Sequence, residues 1–268
     1  MRNMYFIGLI ALVFFSCSDS VKKSTNEKKY SIVFKPTKGE KKEMSYEFTC
    51  ISPSDSTNVS FMMDLGLEVI STKSQQHEIN VSYNKLCSDG NRGSLSMKGC
   101  AHDSITPELK KAVSSVFSYL HSVYTMQFDD RMRKTNETVI EVDSALGVVA
   151  APIGKMQFFT VLPASEVKPG DSWKEELDLS GANKKKAKLL YKLEKVKNDV
   201  AFISFSGTLT AAGEGFGQEF KMSSNFNGTM EIDIKTGWTL AAERKENVDL
   251  FSNGVENLVT FIYRMKLK

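Results

Sequence analysis

The chain has 268 residues, with 35 lysines and arginines against 32 aspartates and glutamates, for a net charge of only +3. That length suits one large β domain or two small ones. Scattered lysines at near-balanced charge exclude the basic stripe of a nucleic-acid surface.

Arg2 and the apolar run Met4–Phe15 have the form of an export signal. Twelve apolar residues are too few to cross about 30 Å of hydrocarbon as a helix, which takes roughly 20. The run stops at Ser16-Cys17 and turns at once into Ser18-Asp19-Ser20. This pattern resembles a bacterial lipoprotein signal, in which residues 1–16 are removed and Cys17 is acylated on sulfur. Two or three acyl chains, at about 0.8 kcal/mol per buried CH₂, then hold the protein on a membrane. Phe14 stands where such signals usually carry leucine, so a plain export signal with a coincidental cysteine is the alternative. Residues 17–29 are polar, charged and without hydrophobic period. They are expected to form a disordered tether with a reach of roughly 20 Å.

From Tyr30 onward the dominant pattern is alternation. Met44, Tyr46 and Phe48 share one parity, as do Leu65, Leu67 and Val69, and then Ile79, Val81 and Tyr83. A period of two marks half-buried antiparallel strands, and Ser74-Gln75-Gln76 reads as the hairpin turn between two of them. Thr106-Pro107-Glu108 looks like a helix start. Leu109, Ala112, Val113, Val116, Phe117, Leu120, Val123 and Tyr124 follow with 3–4 spacing. This predicts an amphipathic helix over about 107–124 that packs on a sheet. Gly147-Val148-Val149-Ala150-Ala151-Pro152-Ile153-Gly154 is too apolar for an exposed linker and is expected to thread between sheets.

The chain also echoes itself. Lys38-Gly39-Glu40 and Pro169-Gly170-Asp171 each precede a strand, 67–86 matches 191–209, and Thr125–Asp129 matches Thr229–Asp233. The expected fold is mainly β (α+β): two duplicated twisted antiparallel units, 30–146 and 147–268, sharing a core, with one helix. Thr236-Gly237 supplies a tight turn late in the second unit.

Cys50, Cys87 and Cys100 are odd in number, so at most one bridge forms within the chain. A simple hairpin centred near Gly90 sets Cys87 opposite residue 94, well short of Cys100. A Cys87–Cys100 disulfide and two small buried hydrophobes therefore both stand as readings. Ser20, Ser56, Ser104 and Ser144 each follow an aspartate and precede an apolar residue or threonine. This tripeptide resembles the O-glycosylation signal of periplasmic Bacteroidota proteins, and it is equally turn and cap chemistry.

Gly170-Asp171-Ser172-Trp173 after a proline, the Thr229–Gly237 turn and the leader resemble uncharacterised Bacteroidota lipoproteins of unknown function. The strand pattern is similar to the curved-sheet lipoprotein carriers LolA and LolB. The resemblance implies an outer-membrane lipoprotein of the cell envelope, on either its periplasmic face or the cell surface.

Side chains that carry chemistry are sparse. His77 falls in a polar turn, His102 in a loop and His121 on the polar side of the expected helix, with no pair at zinc-ligand spacing. No nucleophile elbow or phosphate loop occurs. Gly213–Gly217 reads as a hairpin end, and Asp129-Asp130, followed by Arg131 and Arg133, as a charged strand edge. No catalytic residue, metal or cofactor is assigned, and the chain is not expected to be an enzyme. The expected function is binding or carrying a lipid or other apolar ligand on a curved sheet. The alternative is an interaction or scaffold subunit of an outer-membrane complex, working through exposed strand edges. In both, the expected partners include the membrane, through the lipid anchor, and exclude nucleic acid.

Overall fold

A computed structural model describes residues 28–53, 57–90, 95–98, 123–141, 161–178, 186–215, 218–252 and 255–268. Twelve strands run through them. In the first half these are β1 (Lys41–Ser52), β2 (Thr57–Lys73), β3 (Gln76–Gly90), β4 (Leu95–Lys98), β5 (Val123–Asp129) and β6 (Lys134–Glu141). The second half holds β7 (Ser172–Asp178), β8 (Lys186–Lys197), β9 (Val200–Gly215), β10 (Gln218–Asp233), β11 (Thr239–Ser252) and β12 (Val255–Leu267).

All pair antiparallel in one sheet, in the order β6-β5-β3-β2-β1-β12-β11-β10-β9-β8-β7, with β4 beside β3. The expected pair of sheets is therefore corrected to one. β1 and β12 run in register from Met44–Leu267 to Ile51–Thr260, so a continuous ladder joins the halves.

The sheet is curled. From β5 to β7 a flat sheet would extend about 43 Å at the usual strand spacing. Yet Arg131, in the turn after β5, forms an ion pair with Glu175 of β7. Two extended segments close this end. Tyr30 and Val167 exchange backbone hydrogen bonds, Phe34 N–H donates to Asp130 O, and Leu162 N–H donates to Arg131 O. Ile32, Phe34 and Leu162 fill the turn end beneath Trp238, all essentially inaccessible. Phe34 meets Trp238 and His77 edge-on, with ring centroids 5.0 and 5.2 Å apart.

Alternation decides which face turns inward. Ala187, Leu189, Tyr191 and Leu193 of β8 are buried while their neighbours are exposed, and the same parity holds along β1, β2 and β3. At about 1.5–3 kcal/mol per buried apolar side chain, slipping one residue would forfeit a whole strand's contribution.

The helix expected over 107–124 lies outside the described residues except for its last two positions, and those are strand. Val123 and Tyr124 open β5, where Tyr124, Met126 and Phe128 are buried at period two against β3. Val123 and Tyr124 continue the 3–4 spacing of the residues before them, but from Tyr124 on burial alternates and the ladder to β3 selects the strand.

The two halves share local geometry. Gly39 and Gly170 take φ values of +82° and +93°. The carboxylates that follow, Glu40 and Asp171, accept from the backbone N–H of Thr37 and Lys168, each at 3.0 Å. Both glycine amides donate to the next strand, to Val69 O and Leu193 O, and both contacts precede an irregularity in the ladder. Each of those strands ends in a two-residue turn with positive φ, Ser74-Gln75 and Asn198-Asp199.

Candidate functional site: an aromatic row with a buried ion pair

Register across the sheet brings together residues far apart in sequence. Trp173 pairs with Tyr191, Tyr191 with Phe205, Phe205 with Gly228, Gly228 with Arg244, Arg244 with Tyr263, Tyr263 with Phe48, and Phe48 with Phe61. All point inward, forming one row perpendicular to eight strands. The rings touch in sequence: Trp173 stacks on Tyr191 at 5.3 Å, Tyr191 lies 6.2 Å from Phe205, and Phe205 lies 6.4 Å from Phe226. Beyond Arg244, Tyr263 lies 5.1 Å from Phe48, which lies 5.9 Å from Phe61 and 5.2 Å from Phe261. Each such pair contributes about 0.5–1.5 kcal/mol beyond area burial.

Two glycines make the pavement flat. The Phe205 ring covers Gly228 and the Phe226 ring covers Gly207, so a Cβ on either glycine would overlap ring and backbone atoms together.

Arg244 stands where the row would otherwise hold a ring. Its guanidinium carbon lies 4.8 Å from the centre of the Phe226 ring and 4.4 Å from that of Tyr263, within cation–π reach of both. In its own plane it pairs with Glu246, two residues on and therefore on the same face of β11. Glu246 also accepts from Ser224 Oγ at 2.5 Å. The Glu246 side chain is 5% exposed and that of Arg244 22%. Arg244 Nε is shielded from solvent and has no hydrogen-bond partner. Burial opposes the charge on Arg244, but the Glu246 carboxylate together with Tyr263 and Tyr46 outweighs it and holds the guanidinium above its ordinary pKa. Burial also raises the phenols of Tyr46, Tyr191 and Tyr263 well beyond the usual tyrosine range.

A second, polar feature lies outside the closed end. Ser74, Gln75, Gln76, Asp129, Asp130, Arg131 and Arg133 line a notch of about 410 Å³. Its charges are mutually satisfied. Arg133 pairs with Asp129 at 3.0 Å, Arg131 pairs with Glu175 and donates to Leu162 O, and Asp130 Oδ1 lies 2.8 Å from His77 Nε2. Asp129 is not the charged strand edge expected of it, because its Oδ1 accepts from the amides of Arg131 and Arg133 and shapes the turn. His77 does not sit in a turn either. It follows Gln76 as an inward residue of β3, buried under Phe34.

Of the residues singled out from sequence, Cys17, Ser20, Ser56, Cys100, Ser104, Ser144, His102, His121 and the 147–154 segment lie outside the described residues. Cys87 is buried and disulfide-bonded, whereas Cys50 keeps its thiol. Cys87 pairs with Ser96 rather than residue 94, so the pairing of β3 with β4 is centred beyond Gly90. Gly215 faces Gln218, so Gly213–Gly215 lie at the end of the β9–β10 ladder, while residues 216 and 217 lie outside the described residues.

The row itself escaped the sequence reading, since its members share no motif. One signal was available: β11 alternates Ala242, Arg244, Glu246 and Val248 with Glu243, Lys245, Asn247 and Asp249. A long strand with charge on both parities must turn one charged pair inward if both its neighbours are strands.

A model described as a family of unknown function (DUF6263) matches residues 155–239, which covers β7 to β10 and the turn into β11. No curated protein matches the sequence. Among solved structures, the chain is similar to lipovitellin, in a structure concerned with lipid–protein interactions in lipovitellin. The TM-score is 0.47 and the identity 10%, over 87% of this chain and 25% of that one. The chain thus spans about a quarter of that protein's chain.

Proposed function

We propose that this is a cell-envelope lipoprotein that holds an apolar, chain-like ligand against the inner face of its curled sheet. The observation that carries the reading is the aromatic row. Phe48, Phe205, Phe261 and Tyr263 are only half-buried, though they lie on the inward face beside the buried Ile203, Met230, Val248 and Met265. Half-covered rings in a continuous line form a surface for a hydrocarbon chain, and each ring gains contact when the chain lies down. The reading is of a binding protein rather than an enzyme. Acylation of Cys17 would hold it on a bilayer with residues 18–29 as tether, which sets the sheet within reach of membrane lipid.

The paired turns at Gly39 and Gly170, with their equivalent ladders, support descent from two repeated units, 30–146 and 147–268. The disulfide at Cys87 supports a bridge to Cys100, the nearer of the two remaining cysteines in sequence.

The full-length protein, extracted in mild detergent and sprayed natively, is expected to carry acyl-lipid mass that Phe226→Ala reduces. A bare polypeptide mass beyond the Cys17 modification would overturn the carrier reading. Replacing Cys17 with serine is expected to release the protein from envelopes. Retention at unchanged processed mass would refute the anchor.

A second reading, an interaction subunit, is supported by the β11–β12 tip, where Phe251, Val255 and Leu258 are 49%, 56% and 52% exposed. A stoichiometric protein crosslinked at that tip, with no lipid adduct, would favour it.

A further inference from the structure

We infer that the β11–β12 tip dips into the surface of a zwitterionic phospholipid bilayer, so that lipid passes to the row without crossing water. The inference rests on the carrier reading above. Its first ground is a gradient of cover along the inward face. On β12, Met265 is buried, Tyr263, Phe261 and Val259 are half-buried, and Val255 is 56% exposed. β1 repeats this from Met44 and Tyr46 to Phe48 and Cys50, and β2 from Leu65 and Met63 to Phe61 and Val59. On β10, Ile232, Met230 and Phe226 are buried and Met222 is half-buried. Four strands thus lose cover in one direction, away from Trp238 and toward the tip. Every half-buried side chain on that path is uncharged. The opposite end is plugged by Ile32, Phe34 and Leu162 and faced by the notch of charged side chains.

The second ground is that the tip is apolar on both faces. Phe251 pairs with Glu256 and Leu258 with Asp249 on the outer face, whereas Val255 pairs with Ser252 on the inner one. Phe251 and Leu258 are as exposed as Val255, at 49% and 52%. A partner laid against one face of the sheet would cover Val255, or Phe251 and Leu258, but not all three. A fluid apolar medium surrounds the tip and covers them together.

Charge selects the kind of bilayer. The charges nearest these side chains in the ladders are Lys221, Asp249 and Glu256, one cation against two anions. Attachment to anionic lipid takes a cluster of lysines or arginines, which these registers do not supply. The contact is therefore apolar, with both carboxylates left among the headgroups. The tether does not make this contact by itself, because the chain enters the fold at Tyr30, beside Val167 at the plugged end.

The test uses the full-length chain on phosphatidylcholine vesicles, with and without bromine on the acyl chains, since bromine quenches tryptophan on contact. Phe251→Trp in a Trp173→Phe background reads the tip. Asn225→Trp in the same background reads the outer face away from the tip, and native Trp173 reads the row. Trp238, sealed beneath the plug, is a constant background. Brominated lipid is expected to quench Phe251→Trp and shift its emission to the blue, and to leave Asn225→Trp unchanged. Adding phosphatidylglycerol should not strengthen the effect. In Phe251→Asn with Leu258→Asn, quenching of native Trp173 should develop about tenfold more slowly, as for two half-exposed apolar side chains kept out of hydrocarbon. Emission from Phe251→Trp that vesicles leave unchanged would overturn the inference. A blue shift there without bromine quenching would overturn it too, by showing a protein contact such as a second copy. If Trp173 is quenched and Phe251→Trp is not, the carrier reading survives and lipid reaches the row by another way. If Phe251→Trp is quenched and Trp173 never is, the bilayer contact stands, and the passage to the row falls with the carrier reading.

Discussion

At Arg244 the side chain gives up water for two rings and one carboxylate. Such a pair is not a source of stability in itself, since desolvation of both ions offsets their attraction. Its asymmetry is what can be measured. Glu246→Ala would leave a cation beside Phe226 and Tyr263 with no counter-charge, and is expected to cost about 3–5 kcal/mol in urea unfolding. Replacing the pair with methionine at 244 and leucine at 246 should be close to neutral. Equal losses in the two variants would refute this account of the pair. Gly228→Ala tests the pavement, because the new methyl overlaps the Glu243 carbonyl as well as the Phe205 ring, and backbone cannot swing aside. A loss of about 1–3 kcal/mol is expected.

The tyrosines give a pH dependence with a definite sign. Burial raises the phenols of Tyr46, Tyr191 and Tyr263 in the folded chain, while in the unfolded chain they ionise near pH 10. A raised folded pKa means stability that is complete below about pH 10 and is lost as pH climbs above it. Each tyrosine contributes a loss of up to about 1.4 kcal/mol per pH unit there. Absorbance at 295 nm should show Tyr46, Tyr191 and Tyr263 ionising only together with unfolding. Smooth ionisation of these three before any loss of structure would contradict the burial of the row.

Among the elements, legibility followed locality. The runs at Met44–Phe48, Leu65–Val69 and Ile79–Tyr83 read correctly because alternation is a property of neighbours along one strand. The 74–75 turn was legible because polar residues interrupt two such runs. The strand start at Val123 was not, because Val123 and Tyr124 continue the 3–4 spacing before them and only the ladder to β3 marks the strand. The row was illegible for a stronger reason: it depends on seven registers at once, each set partly by irregularities such as that between Leu193 and Lys195. The same locality exposes a weak point. Ser74 and Gln75 hold φ values of 48° and 65°, a turn that favours Asn-Gly, whereas Asn198-Asp199 fills the equivalent turn with residues that tolerate it better. Ser74→Asn with Gln75→Gly is expected to raise stability by about 1 kcal/mol, seen as a higher thermal midpoint. No rise would mean that the notch contacts of Gln75 outweigh its backbone strain.

Among the described strands, β6 and β7 end the main path of the sheet and do not pair with each other. Exposed edges invite pairing with other chains, and here one end is secured by side chains. Arg131 reaches from the β5–β6 turn to Glu175, Leu162 N–H donates to Arg131 O, and Trp173 Nε1 donates to Val161 O at 3.0 Å. Glu175 sits two residues along β7 from Trp173 and therefore on the same face, so this clasp adjoins the end of the aromatic row. Both side chains of the pair are largely buried, at 20% and 12% exposure, unlike Arg264–Glu47 on the outer face at 51% and 40%. The exposed pair should contribute under about 1 kcal/mol, and losing it should leave local opening unchanged. Arg131→Met removes one partner of the buried pair and strands a carboxylate, so the cost falls where the sheet edges are held together. Hydrogen exchange is expected to accelerate roughly tenfold or more at 161–167 and along β7, while the β1–β12 ladder stays protected. Uniform acceleration across the sheet would show that Arg131 supports the global fold and not the seam. No change at all would show that the plug of Ile32, Phe34 and Leu162 holds the end closed without it.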